Sequence, residues 1–222
     1  GRPPTAFLII CHPKFSYEAE RLAQLRRSHD GIATRVVTTD QVYNEFSSGS
    51  QDVAAIRDFI RYLYDYSEPP VLKNVLLFGR GSVDFKDVLD GNTNYVPIYA
   101  SRNSLHELKS YASDDFYAFL DEDEGYWEES FDGDHMMDVG IGRLPVKTLE
   151  EARVVVDKLH HYALGPSRFG PWRKRMVFVA DDGDFNIHQR DAERLAIMID
   201  TTARAIGVEK IYIDAFEQVQ DR

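Results

Sequence analysis

The first pair of residues in this sequence able to do chemistry is Cys11-His12, a thiol beside an imidazole. A cysteine nucleophile needs a base within hydrogen-bond reach. Neighbours in an extended chain point to opposite faces, however, so these two do not serve each other. The plain alternative is a partly buried cysteine and a histidine making a local hydrogen bond before Pro13. Three further places draw attention because they follow apolar runs. Gly79-Arg80-Gly81-Ser82 has the glycines of a phosphate loop but neither the GxGxxG nor the GxxxxGK[ST] form, so a tight turn at a strand end explains it. Arg143 is the second. In the third, Asp181-Asp182-Gly183-Asp184, one carboxylate can orient a histidine from elsewhere in the fold, or the aspartates simply make a turn and cap the next helix.

Ser110 to Gly142 carries eleven Asp and Glu and no Lys or Arg. Asp114, Asp115, Asp121 and Asp123 are candidate ligands here, because hard oxygen donors at this density hold Ca²⁺. The spacing does not match an EF-hand loop, and a solvated acidic loop has the same composition. His160-His161 is adjacent on a helix, the wrong spacing for a shared metal. HExxH, CxxC and GxSxG are absent from the sequence.

The elements that must position these residues alternate. Ala6 to Ile10 is a continuous apolar run, as in a strand buried on both faces. Ser16 to Arg27 has helical spacing, with Gly31 beyond its end as the stop. Ala33 to Thr38 reads as a second strand. Asp40 is the expected cap of a helix over Gln41 to Phe46, and Asp52 of the next, which carries the stripe Val53, Ile56, Ile60 and Leu63. Asn74 to Gly79 is a buried strand. The long middle from Arg80 to Asp138 is irregular, with strands expected over Tyr95 to Tyr99 and Phe116 to Leu120. Then come a strand over Asp138 to Gly142, a helix over Leu149 to Tyr162 capped by Thr148, a strand over Met176 to Ala180, a helix over Ile187 to Ile206 and a strand over Lys210 to Asp214. The pattern predicts an α/β fold with a mostly parallel sheet and helices on both faces. Open sheets of this kind place their sites past the carboxyl ends of the strands.

With 222 residues, 43% of them hydrophobic, the chain can bury a full core. Its formal charge of −11 argues against DNA or RNA as a partner, since phosphate binding needs a basic field. No apolar run approaches the roughly 20 residues of a membrane span. One cysteine excludes an internal disulfide without fixing the compartment. Gly1-Arg2-Pro3-Pro4 at the start and Asp221-Arg222 at the end both read as cut ends.

Seven blocks in order carry a resemblance. They are Leu8 to Phe15, Val36 to Phe46, Asp52 to Ile60, Val75 to Gly79, Ser113-Asp114-Asp115, Val139 to Val146 and Phe178 to Asp182. Together they resemble the gingipain family of cysteine peptidases over about Ala6 to Ala215, and within it the branch that acts as a sortase in type IX secretion. The resemblance implies a caspase-like fold in two side-by-side subdomains. The nucleophilic Cys and the His of a His-Gly step both lie in the second. This chain has no His-Gly step, so residues 1–222 are expected to form the first subdomain only, with the dyad outside the chain.

Residue by residue, the resemblance implies that Asp182 orients the catalytic His and that Asn186 occupies the substrate-pocket position. That position is acidic in arginine-specific members and neutral here. Where members commonly carry Asp after the third strand, this chain has Arg80. Family members bind calcium, which adds to the case for the acidic stretch. The implied function is removal of C-terminal sorting domains from secreted cargo and attachment of the cargo to anionic lipopolysaccharide. The implied partners are cargo and other secretion-system components, and the implied place is the cell surface, outer membrane or exterior. A general secreted gingipain-like protease and a pseudo-enzyme or binding module are the alternatives.

Overall fold

The structure, a computed structural model, describes residues 4–66, 69, 71–86, 88–101, 105–106, 110–122, 124, 136–166 and 169–217. The chain divides into two compact units, residues 1–160 and 161–222.

The first unit is built on a sheet whose strands are β1 (Phe7–Cys11), β2 (Thr34–Thr38), β3 (Asn74–Phe78) and, with β4 and β5 introduced below, β6 (Gly140–Leu144). The order is β2-β1-β3-β6 and every pairing is parallel. Leu8, Ile9, Ile10 and Cys11 are all fully buried, so both faces of β1 are covered. That is why this strand reads as an unbroken apolar run rather than an alternation. Leu8 and Ile10 face one core with Leu77, into which helix α2 (Thr39–Phe46) sends Val42 and helix α3 (Val53–Tyr66) sends Ile56, Ile60 and Leu63. Ile9 and Cys11, on the opposite face, lie on the side of helix α1 (Ser16–His29), which packs on β1 and β2. Helix α4 (Leu149–Leu164) follows β6.

Of the three expected caps, Asp40, Asp52 and Thr148, the first is displaced. Thr38, not Asp40, starts α2: its hydroxyl accepts from the Gln41 amide at 3.4 Å, and the Gln41 side chain accepts from the Thr38 amide at 2.9 Å. This reciprocal pair satisfies two orphan donors; Asp40 lies one residue inside the helix. Asp52 and Thr148 cap as expected, accepting from the amides of Ala54 at 2.8 Å and Glu151 at 3.1 Å.

In the long middle, the strand expected over Tyr95 to Tyr99 reduces to β4 (Tyr99–Ala100), paired antiparallel with β5 (Ala112–Ser113). Phe116 to Leu120 is not a strand; Asp115–Tyr117 is a 3₁₀ turn. No helix among the described residues is long and apolar enough to cross a membrane.

The second unit contains β7 (Arg175–Ala180), helix α5 (Gly183–Thr202) and β8 (Gly207–Tyr212), with β7 and β8 parallel. Glu193 of α5 accepts from Lys210 Nζ at 2.8 Å and Tyr212 Oη at 3.0 Å, which fixes the helix to one face of this pair.

Thr38→Ala should lower stability by about 1 kcal/mol, and Asp40→Ala by only a few tenths. Urea unfolding checks this, since the Thr38 variant should lower the midpoint and leave the slope unchanged.

Candidate functional site

At the carboxyl ends of the strands, Cys11 and its neighbours do not form a nucleophilic site. The Cys11 thiol is fully buried, and burial pushes its pKa up to about 12. Such a thiol stays protonated and inert at neutral pH. His12 turns away to cap a 3₁₀ turn over Pro13–Phe15, its Nδ1 accepting from the Lys14 amide at 3.1 Å.

The loop after β3 explains its glycines. Gly79 has φ +144°, and a Cβ there would sit 3.0 Å from Cβ of Tyr95 and 3.1 Å from Cγ2 of Val96. At Gly81 a Cβ would meet the Val96 carbonyl and the Ile98 side chain, each at 3.0 Å. Close approach of the segment Tyr95–Ile98 therefore requires both glycines. The space a phosphate would need is filled by the chain itself.

Arg143 is the hub of this end of the unit. Register with Leu77 turns it toward the α2–α3 core. Its Nε donates to Asp114 Oδ2 at 2.8 Å and its Nη2 to Asp114 Oδ1 at 2.7 Å. Nη1 donates to the carbonyls of Gly79 at 2.8 Å and Val96 at 2.7 Å, and Nη2 to that of Pro97 at 3.1 Å. All five N–H donors of a guanidinium are thus used. The two side chains are only 10% and 19% exposed. Tyr117, buried beside this ion pair, donates from its hydroxyl to the same Pro97 carbonyl at 2.7 Å, and burial pushes its pKa well up.

The four acidic residues singled out for calcium are placed as follows. Both oxygens of Asp114 accept from Arg143. Asp115 opens the 3₁₀ turn, its amide donating to the Ser113 hydroxyl at 3.1 Å. Asp121 is exposed, and its main-chain carbonyl accepts from Arg57 at 3.0 Å. Asp123 lies outside the described residues. Among the described residues no three His, Cys, Asp or Glu side chains converge as a ligand set. Arg57 of α3 also donates to the carbonyls of Phe119 and Glu124, so two arginines from outside this stretch reach into it. Neither was visible as a partner of the stretch in the sequence, because it carries no basic residue of its own.

Asp182 and Asn186, the two positions carried over from the resemblance, lie at the junction of β7 and α5 in the second unit, Asp182 just before α5 and Asn186 in its non-helical first turn. Asp182 is exposed at the helix start, where its side chain makes no capping hydrogen bond. Asp184, Phe185 and Asn186 follow with φ of 49°, 58° and 58°, three consecutive non-glycine residues in the left-handed region. Each such residue costs on the order of 1 kcal/mol. Phe185 is fully exposed. The sequence missed His188, whose Nε2 lies 3.2 Å from Asp184 Oδ2. An acid and a histidine four residues apart was the available signal. The turn thus presents three carboxylates, an amide and an imidazole at the carboxyl end of a parallel strand, where an α/β sheet places its chemistry.

Comparison with known proteins supplies the class. The model of Peptidase family C25 matches residues 2–222, and the chain belongs to this, the gingipain, family. The chain is also similar to PorU of Porphyromonas gingivalis, solved as a dimeric latent form. Identity is 27% over 88% of this chain, with a TM-score of 0.63. It spans 21% of that PorU chain. Comparison with curated proteins gave no match. The central parallel sheet flanked by helices fits the gingipain fold, and the likeness fits a gingipain-like cysteine peptidase with PorU as its relative.

Arg143→Lys keeps the charge and loses the planar fork, so it should cost about 3 kcal/mol or more. Calorimetric or urea unfolding checks this; a loss under about 1 kcal/mol would mean that the five contacts are not the hub described.

Proposed function

We propose that this chain is the non-catalytic front part of a cysteine peptidase and transpeptidase of the PorU type. In this reading the whole enzyme removes C-terminal sorting domains from cargo of type IX secretion. It then passes the new carboxyl end to anionic lipopolysaccharide at the cell surface. The observation that carries it is the similarity to PorU across 88% of the chain. The neutral Asn186, where arginine-specific members have an acid, supports a sorting enzyme over a trypsin-like protease.

The reaction this requires is acyl transfer. A thiolate attacks the scissile carbonyl, backbone N–H groups hold the oxyanion, a thioester forms as the sorting domain leaves, and an acceptor amine or water resolves it. Cys11 is not that thiolate, given its burial and raised pKa. Within this chain the contribution assigned is that of Asp182, a carboxylate that fixes the tautomer and orientation of a catalytic imidazole supplied by another part of the enzyme. Asn186 lines the pocket for the substrate residue.

In the full-length enzyme, Asp182→Ala should lower kcat/KM for cargo about 10- to 1,000-fold, chiefly through kcat, as removing an orienting carboxylate does. Activity equal to that of the parent would discard the role of Asp182. Cleavage of a peptide library with no preference for cargo carrying a sorting domain would replace the sortase reading with that of a general secreted protease. The 222-residue chain alone is expected to show no hydrolysis of either substrate.

A further inference from the structure

The crevice where an open sheet changes winding direction lies here between β1 and β3, because α1 leaves β1 toward one face and the chain reaches β3 from the other. It is plugged by the segment around Tyr95. The Tyr95 ring meets the His12 ring edge-on at 4.8 Å and Phe15 at 5.0 Å. Lys14 Nζ donates to Tyr95 Oη at 2.9 Å and to the Lys147 carbonyl at 3.4 Å, and lies 4.9 Å from the Tyr95 ring centre. The Tyr95 and Val96 amides both donate to the Arg80 carbonyl. The His12–Phe15 turn is therefore one jaw of a clamp and Tyr95 the other, with Phe15 stacked over Phe78 and covering the end of β1.

We infer that His12 is a pH-sensitive latch that holds this turn against Tyr95 and closes the crevice only while its imidazole is neutral. The reason is the direction of one hydrogen bond. Nδ1 accepts from the Lys14 amide, so the proton of the neutral ring sits on Nε2. A second proton goes to Nδ1, removes the acceptor and sets a cation against the Lys14 amide dipole and ammonium group. The cap is lost, Lys14 is repelled, and the ring contact with Tyr95 loosens.

The groups acting on His12 are few. Burial lowers its pKa most, Asp40 of α2 opposes this, and Lys14 of the same turn adds to it; Tyr95 and Phe15 present uncharged rings. A histidine held below its unfolded value takes up its proton more readily when released. The latch is therefore fully closed above the unfolded pKa of about 6.5 and opens as pH falls through the folded value.

Cys11, the sole cysteine, is buried directly behind the turn and reports its opening. Labelling of the 222-residue chain with 4,4′-dithiodipyridine, a thiol reagent that works in acid, should be followed from about pH 7.5 to 4.5, with the rate normalised to glutathione in the same buffer. The normalised rate should rise as pH falls from the unfolded pKa of about 6.5 towards the lowered folded value, by at most about tenfold per pH unit for a one-proton opening, and level off below the folded value. His12→Asn keeps a capping acceptor that does not titrate, and its rate should stay flat. A flat rate in the parent chain, or the same rise in the Asn variant, overturns the latch. In the parent chain alone, the NMR shift of the Lys14 amide should titrate with the same midpoint as His12 Nδ1, and a different midpoint also overturns it.

Discussion

The buried guanidinium of Arg143 is the constraint on which the first unit's functional end depends. A charge removed from water costs several kcal/mol unless its partners are all in place. Here those partners come from three remote segments: Asp114 after β5, Gly79 after β3, and Val96 with Pro97 ahead of β4. The Gly79 segment prolongs the β3–β6 ladder, whereas Val96 with Pro97 and Asp114 lie outside regular strands. Satisfying one cation in one geometry defines all three together. The planar fork matters as much as the charge, since a carboxylate and three carbonyls must be met in different directions.

This constraint separates what could be read along the chain from what could not. The parallel strands and their helices follow from local patterns: apolar runs such as Leu8 to Ile10, a helical stripe such as Ile56, Ile60 and Leu63, and hydroxyl or carboxylate caps. Departures at this level are short-range: Asp40 has the side chain of a cap, but the reciprocal bond with Gln41 makes Thr38 the cap. The stretch after β5 failed differently. Phe116 to Leu120 has strand-like composition, yet Arg57 draws in the Phe119 carbonyl and Asp138 accepts from the Leu120 amide at 2.8 Å, so the backbone is spent on side chains rather than on a neighbouring strand. Among its acidic residues Asp114 is paired with Arg143, 29 residues away, a partner that the stretch itself does not display.

The candidate site was legible in position and not in form. That chemistry belongs past the carboxyl ends of β1, β3 and β7 follows from the topology alone, and Asp182 lies there. The left-handed run from Asp184 to Asn186 had no signature, since none of the three residues is glycine. Strain of this kind persists only where surroundings over-determine it. The regular right-handed part of the helix consequently starts beyond Asn186, where the apolar periodicity starts at Ile187.

The two units also differ in how firmly they can hold a side chain. In the first, a parallel sheet is buried on both faces, as parallel sheets require. In the second, pairing of Phe178 with Lys210 and Ala180 with Tyr212 sets those residues on the α5 side, and leaves Val177, Val179 and Ile211 on the other. Those three are 44%, 71% and 38% exposed. A two-stranded sheet with one open apolar face is marginal by itself, and local opening there costs less than global unfolding. An orienting carboxylate must be held to within a fraction of an ångström to be useful. The role assigned to Asp182 therefore depends on the covering of this face as much as on the residue. On the role proposed for Asp182, a substitution at Val179 that disturbs that covering should lower kcat of the full-length protein.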